Sequence, residues 1–129
     1  MVFDVKYPIL GFENVTSFDF DAVDDNFATI KAVDNGGIPS FTLINPFVLR
    51  EYTFDIPTSI RSLMDIKEDS NILVYLILIV KRPFNESLAN FLAPIVLNID
   101  NKTLSQVILD EMQYPDYFAA ESLTKFITE

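Results

Sequence analysis

Apolar residues along this chain of 129 residues fall into short runs, alternating or continuous, broken by Pro, Gly, Asn and Asp. That is the pattern of many short strands, as in a sandwich or a small barrel. Residues 2–6 read as a first strand that stops at Tyr7-Pro8, since proline has no N–H to give to a ladder. Phe18, Phe20 and Ala22 alternate with Asp19 and Asp21, which predicts a strand with one apolar face and its acids in water. Residues 27–33 and 40–45 flank Asp34-Asn35-Gly36-Gly37-Ile38-Pro39, where Asn and Gly tolerate the positive φ of a hairpin turn. A further strand is predicted over residues 51–56, with Tyr52, Phe54 and Ile56 on one face and Pro57 at its end. Thr58 or Ser59 is positioned to cap a short helix through Asp65 that turns Ile60, Leu63 and Met64 to the core.

Residues 72–80 are continuously apolar and rich in branched side chains, which suits a central strand covered on both faces. The run is far short of the roughly 20 residues a membrane-spanning helix needs. After Lys81-Arg82-Pro83 and a polar connection over 84–90, residues 91–99 resume as a strand. Pro94 interrupts it, which implies an edge position or a bulge. Asp100-Asn101-Lys102 turns the chain into a strand over 104–109. From Asp116 onward, Ala119, Leu123, Phe126 and Ile127 are spaced for a short amphipathic helix.

The length fits one domain spanning residues 1–129, large enough to bury roughly two-thirds of the surface its unfolded form exposes. Half the residues are apolar, Phe contributes 12 and Gly only 3, so a packed core is expected in place of disorder. The chain has no Cys and no His, which excludes disulfides, thiolate or imidazole zinc sites, thiol nucleophiles and imidazole acid-base chemistry. Residues 1–6 show no basic start leading into an apolar stretch, so the expected location is the cytoplasm. Nineteen acids against nine bases give a net charge of −10, which repels a phosphate backbone and argues against direct nucleic-acid binding.

An enzyme would have to rest on carboxylate pairs such as Asp24 with Asp25 or Asp110 with Glu111. Sequence neighbours in a strand point to opposite faces, so no catalytic residue is expected. No cofactor or metal is expected either. The Phe content also permits a small-ligand barrel with an apolar interior, without enzymatic activity, and this is the alternative to a protein-binding role.

Three stretches, taken in order, resemble the FliW family of flagellar assembly factors. They are Pro8-Ile9-Leu10-Gly11-Phe12-Glu13, then Asn45-Pro46-Phe47 leading to Tyr52, then Asn90-Phe91-Leu92-Ala93-Pro94-Ile95-Val96-Leu97-Asn98. The third is the most specific, because in the family it precedes a turn, a Gln-Val-Ile-Leu strand, matched here by residues 106–109, and a Tyr, here Tyr114. The resemblance implies an all-β fold, a compact antiparallel β-barrel-like single domain with one or two short helices. It also implies a role as a switch between two partners: newly made flagellin, and CsrA, an RNA-binding translational repressor that is captured once flagellin has been exported. Repression of flagellin synthesis is then relieved.

Under that resemblance CsrA presents basic surface, and Asp110, Glu111, Asp116 and Glu121 are the acids expected to meet it. Unassembled flagellin presents amphipathic helical segments, for which an apolar groove or an open sheet edge is needed. Phe91, Leu92 and Ile95 beside Pro94, with Phe47 as a second locus, are the candidates for that contact. The free protein is expected to be a monomer.

Overall fold

The computed structural model describes residues 1–126. Nine strands form one sheet: β1 (Val2–Tyr7), β2 (Ser17–Ala22), β3 (Phe27–Ala32), β4 (Ser40–Ile44), β5 (Ile72–Ile79), β6 (Leu88–Ala89), β7 (Ile95–Asn98), β8 (Thr103–Gln106) and β9 (Glu121–Ser122). The order is β4-β3-β2-β1-β8-β7-β5-β6-β9, and β4 also pairs with β5, so seven strands close into a barrel from which β6 and β9 extend. Closure removes the free edges that open sheets must protect.

The ladders follow the alternation in the sequence. In β2, Phe18 and Phe20 point inward opposite Ala32 and Ile30 of β3, while Asp21 faces solvent. The β3–β4 hairpin forms as expected, its turn using positive φ at Asn35, Gly36 and Gly37. One pairing departs from an antiparallel barrel: β1 runs parallel to β8, with Val5 opposite Leu104, because the two are joined through the whole of the chain between them and no hairpin dictates their sense.

Two apolar cores result. Inside the barrel, Phe3, Phe18, Phe20, Ile30, Leu43, Tyr75, Ile95, Leu97 and Leu104 fill the space between strands. Outside it, the opposite faces of β5 and β7, through Leu76, Leu78 and Val96, pack under a layer that includes Tyr52, Ile60, Met64, Phe91, Tyr117 and Leu123. That layer contains one α-helix among the described residues, α1 (Thr58–Leu63), which buries Ile60 and ends on the buried Met64, while Leu63, expected to face the core, is half exposed. Its N-cap is Pro57, with no side-chain cap bond, so neither Thr58 nor Ser59 has the capping role expected of it.

Three further expectations are corrected. Residues 51–56 keep the alternation of a strand, with Tyr52 buried and Thr53 exposed, but have no ladder partner. Pro94 does not mark an edge: β7 lies between β5 and β8. The ladder register continues from Ile95↔Gln106 through Pro94, where Val107 N–H donates to the Pro94 carbonyl at 2.9 Å and the missing proline N–H leaves the pair one-sided. Residues 116–126 form turns, the two-residue β9 and a 3₁₀ turn over Leu123–Lys125 in place of a helix, because Glu121 and Ser122 are held by β6. Ile127, the last apolar position of that expected helix, lies outside the described residues. No helix is long and apolar enough to cross a membrane among the described residues.

A groove at one end of the barrel

At the end where β1, β5 and β8 finish and β4 and β7 begin, the loop after β1 folds across the barrel mouth. Ile9 plugs the inner core at 2% exposure, while Gly11, at φ +90°, turns the chain so that Leu10 and Phe12 stay at the surface. The loop is anchored by a buried carboxamide. Gln106 Oε1 accepts the Leu10 N–H at 2.8 Å and Gln106 Nε2 donates to the Ala93 carbonyl at 3.4 Å. Ser105 Oγ accepts the Tyr7 N–H at 3.1 Å. Residues from the first and third of the family-like stretches, more than 80 positions apart, are thereby fastened to one another through the strand that carries Gln106.

Between these anchors lies a groove of about 210 Å³, with Leu10, Phe12, Phe41, Ile79, Leu88 and Ile108 among its walls. Leu10, Ile79 and Ile108 are 73%, 57% and 51% exposed, which leaves three aliphatic side chains of one groove open to water. Phe12 is held upright by an edge-to-face contact with Phe41, ring centroids 5.1 Å apart. Asn90 shapes the far wall: its Oδ1 accepts the Leu92 N–H at 3.0 Å and its own N–H donates to the Ile77 carbonyl at 3.2 Å.

A larger depression of about 380 Å³ adjoins the same loop on the side of the β3–β4 turn, where Glu13, Asn14, Asp34 and Asn35 stand among apolar walls that include Phe12, Val15 and Ile38. The barrel interior itself is occupied by the inner core, so the space a small-ligand barrel would use is taken by Phe3, Phe18, Phe20 and Tyr75. Among the described residues no three acidic side chains converge to hold a metal ion.

The residues singled out from sequence do not line the groove. Phe91 and Ile95 are 1% and 0% exposed, so neither offers the accessible edge that Pro94 suggested. Phe91 packs between Tyr52 and Phe126 at 5.5 and 5.3 Å, and Ile95 faces the inner core. Leu92 is partly buried against the outer core. Phe47 is 56% exposed, leans on Tyr52 at 6.4 Å and is not among the groove walls.

Of the four acids, Asp110 and Glu111 sit exposed on a turn after Leu109, where Asp110 Oδ1 accepts the Met112 N–H at 2.9 Å. Asp116 is exposed and its carbonyl meets the Arg50 guanidinium at 3.4 Å. Glu121 is not part of an open acidic surface: its side chain is 12% exposed and pairs with Lys125 Nζ at 3.0 Å. Its place in β9, against β6, turns the carboxylate toward Lys125 four residues on.

The groove walls missed from sequence had a weak signal in each case. Ile108 lies between the buried Val107 and Leu109, so strict alternation puts an aliphatic residue on the solvent side of that stretch. Leu10 and Phe12 flank a glycine in a loop, and nothing local distinguishes such residues from turn filler.

Residues 1–118 match the family described as FliW protein. Over 129 residues, all of both chains, the sequence is 43% identical to flagellar assembly factor FliW 1 of Wolinella succinogenes. It is 45% identical to flagellar assembly factor FliW 2 of the same organism over 126 residues, 98% of this chain and 92% of that one. A solved structure titled as the crystal structure of the flagellar assembly factor FliW superimposes with a TM-score of 0.85 at 26% identity, covering 99% of this chain and 87% of the other.

Proposed function

The chain belongs to the FliW family, and we propose that it acts in flagellar assembly by binding other proteins in the cytoplasm, with no reaction of its own. In this reading it holds newly made flagellin. When flagellin has been exported, the freed protein captures CsrA and lifts the repression of flagellin synthesis.

The observation that carries the reading is the exposed apolar groove at the barrel mouth. Residues from two of the family-like stretches meet there around Gln106. Exposed apolar grooves of this kind are what unassembled amphipathic helices seek, because water is displaced from both surfaces at once. The charge supports the second partner. Nineteen acids stand against nine bases, and among the described residues ion pairs neutralise only Asp19, Asp65 and Glu121. A basic, RNA-binding protein is therefore drawn in at long range.

Calorimetric titration with CsrA at about 0.05 M and about 0.5 M salt, spanning Debye lengths of roughly 14 to 4 Å, tests the electrostatic half. The expected result is an affinity that falls with salt, a fall that is blunted when Asp110 and Glu111 are replaced by Lys. Unassembled flagellin added to the CsrA complex is expected to release CsrA. Equal affinity at both salts, or no release, counts against the reading.

A further inference from the structure

The apolar groove does not end at its own rim. Leu10 and Ile108 are shared with a second depression that has Tyr7, Pro8 and Glu13 on its walls, and Ile108 is shared with a third that runs to Asp55, Asp110 and Tyr114. Ile108 thus stands at the junction of one continuous trough, apolar toward β5 and β6 and acidic toward the turn after Leu109. None of the residues that line the three depressions is Lys or Arg, while Glu13, Asp55 and Asp110 are all exposed there. Asp55 is brought in by the unpaired extended segment 51–57, whose N–H at Asp55 is taken by Tyr114 Oη at 2.9 Å. The acidic end is therefore built by contacts between distant segments.

The geometry points to one occupant: an amphipathic segment of unassembled flagellin, lying with its apolar side chains over Leu10, Phe12, Ile79 and Ile108 and a basic residue directed to Asp55 and Asp110. This assignment rests on the proposed flagellin binding and adds to it a site, a direction and a charge requirement. The trough offers a strip of aliphatic and aromatic surface that ends in uncompensated carboxylates. A segment with apolar residues alone would leave those carboxylates facing apolar groups, and a segment with an acid at that end would be repelled. The order along the occupant is fixed in the same way, apolar anchors on the β5–β6 side and the cation on the Asp110 side.

The test is calorimetry of unassembled flagellin with the full chain and with three variants, Ile108→Glu, Leu10→Glu and the double Asp55→Asn, Asp110→Asn. Ile108 and Leu10 are 51% and 73% exposed, so their replacement leaves both cores intact, and a melting curve checks this. The expected result is at least about tenfold weaker binding for each apolar variant at both low and high salt, as for the loss of a central contact. For the double Asn variant, weakening of about threefold at low salt that vanishes at high salt is expected. Hydrogen exchange on the unaltered chain is expected to show protection gained at residues 108–110 when flagellin is added. Flagellin bound equally by the unaltered chain and all variants, with no protection at 108–110, overturns the trough assignment and leaves flagellin binding standing. Failure of the unaltered chain to bind flagellin overturns both.

Discussion

Tyr52 and Asp100 carry opposite sensitivities to pH, each set by what surrounds one oxygen. The Tyr52 hydroxyl donates to the Phe91 carbonyl at 2.6 Å inside the outer core, and burial, reinforced by Tyr117 and Tyr114, pushes its ionisation far above the ordinary value of 10.0. A phenol whose folded-state pKa is raised contributes stability that is complete below the unfolded value and is lost as pH climbs beyond it. Tyr52→Phe is expected to destabilise the protein by about 1–3 kcal/mol, since the Phe91 carbonyl is left unpaired. Urea unfolding near pH 7 measures that loss, and the same variant should show a shallower decline of stability above about pH 10 than the unaltered chain.

Asp100 behaves the other way. Its carboxylate accepts the Asn71 side-chain amide at 2.8 Å and the Asn71 N–H at 3.1 Å, which holds its pKa below the ordinary 3.8. A depressed carboxyl contributes stability that is present above its unfolded value and disappears as pH falls through the lower folded one. Asp100→Asn is expected to flatten the acid limb of the stability profile below about pH 4 without altering the alkaline limb. An acid limb that keeps its slope in this variant contradicts the assignment.

Among the elements, the segment 51–57 shows how extended backbone is held without a ladder. Tyr117 Oη both accepts the Thr53 N–H at 3.0 Å and donates to the Thr53 carbonyl at 2.8 Å, and Tyr114 Oη accepts the Asp55 N–H. The two rings stack at 5.6 Å with 9° between planes, and the Arg50 guanidinium lies 5.1 Å over Tyr117. Tyrosine hydroxyls here satisfy backbone groups that a neighbouring strand satisfies elsewhere. Tyr117→Phe should speed amide exchange at Thr53 by an order of magnitude or more while leaving Leu43 and Leu97 in the barrel unaffected, as for a local opening. Uniform acceleration across the barrel would mean that Tyr117 supports the whole fold and not that segment.

The same segment marks what sequence pattern can convey. Alternation at Tyr52, Phe54 and Ile56 reveals extended backbone correctly, but alternation carries no information about whether a partner strand exists. Strands β1 to β4 were legible because short connections and Asn-Gly chemistry fix neighbours locally. The parallel closure of β1 on β8 depends on residues about 100 positions apart and has no local signature. Proline at position 94 implies an edge position or a bulge because a missing N–H is costly inside a ladder. The structure places it at the one pair, with Val107, where a single bond in the other direction suffices. In the final segment, helical spacing of Ala119, Leu123 and Phe126 arises from packing of Leu123 and Phe126 on the outer core by way of turns.

At the scale of the whole molecule, net charge is a property that composition reveals, whereas the apolar groove at the barrel mouth is not. Phe91 and Ile95 belong to one of the family-like stretches, and their side chains build the cores that position their neighbours. The surface is supplied by Leu10, Phe12, Ile79 and Ile108, contributed by a loop, a strand end and the residues past β8. No local pattern joins them, since the barrel closure is what brings them to one end. The barrel is the frame that holds this apolar strip open to water.

The central proposal is that the chain binds unassembled flagellin. Gel filtration of the purified chain mixed with purified, monomeric flagellin tests it most directly. Co-elution as a single complex, with the free chain absent at equimolar mixing, is the predicted result, and separate elution of the two proteins across the micromolar range would contradict it.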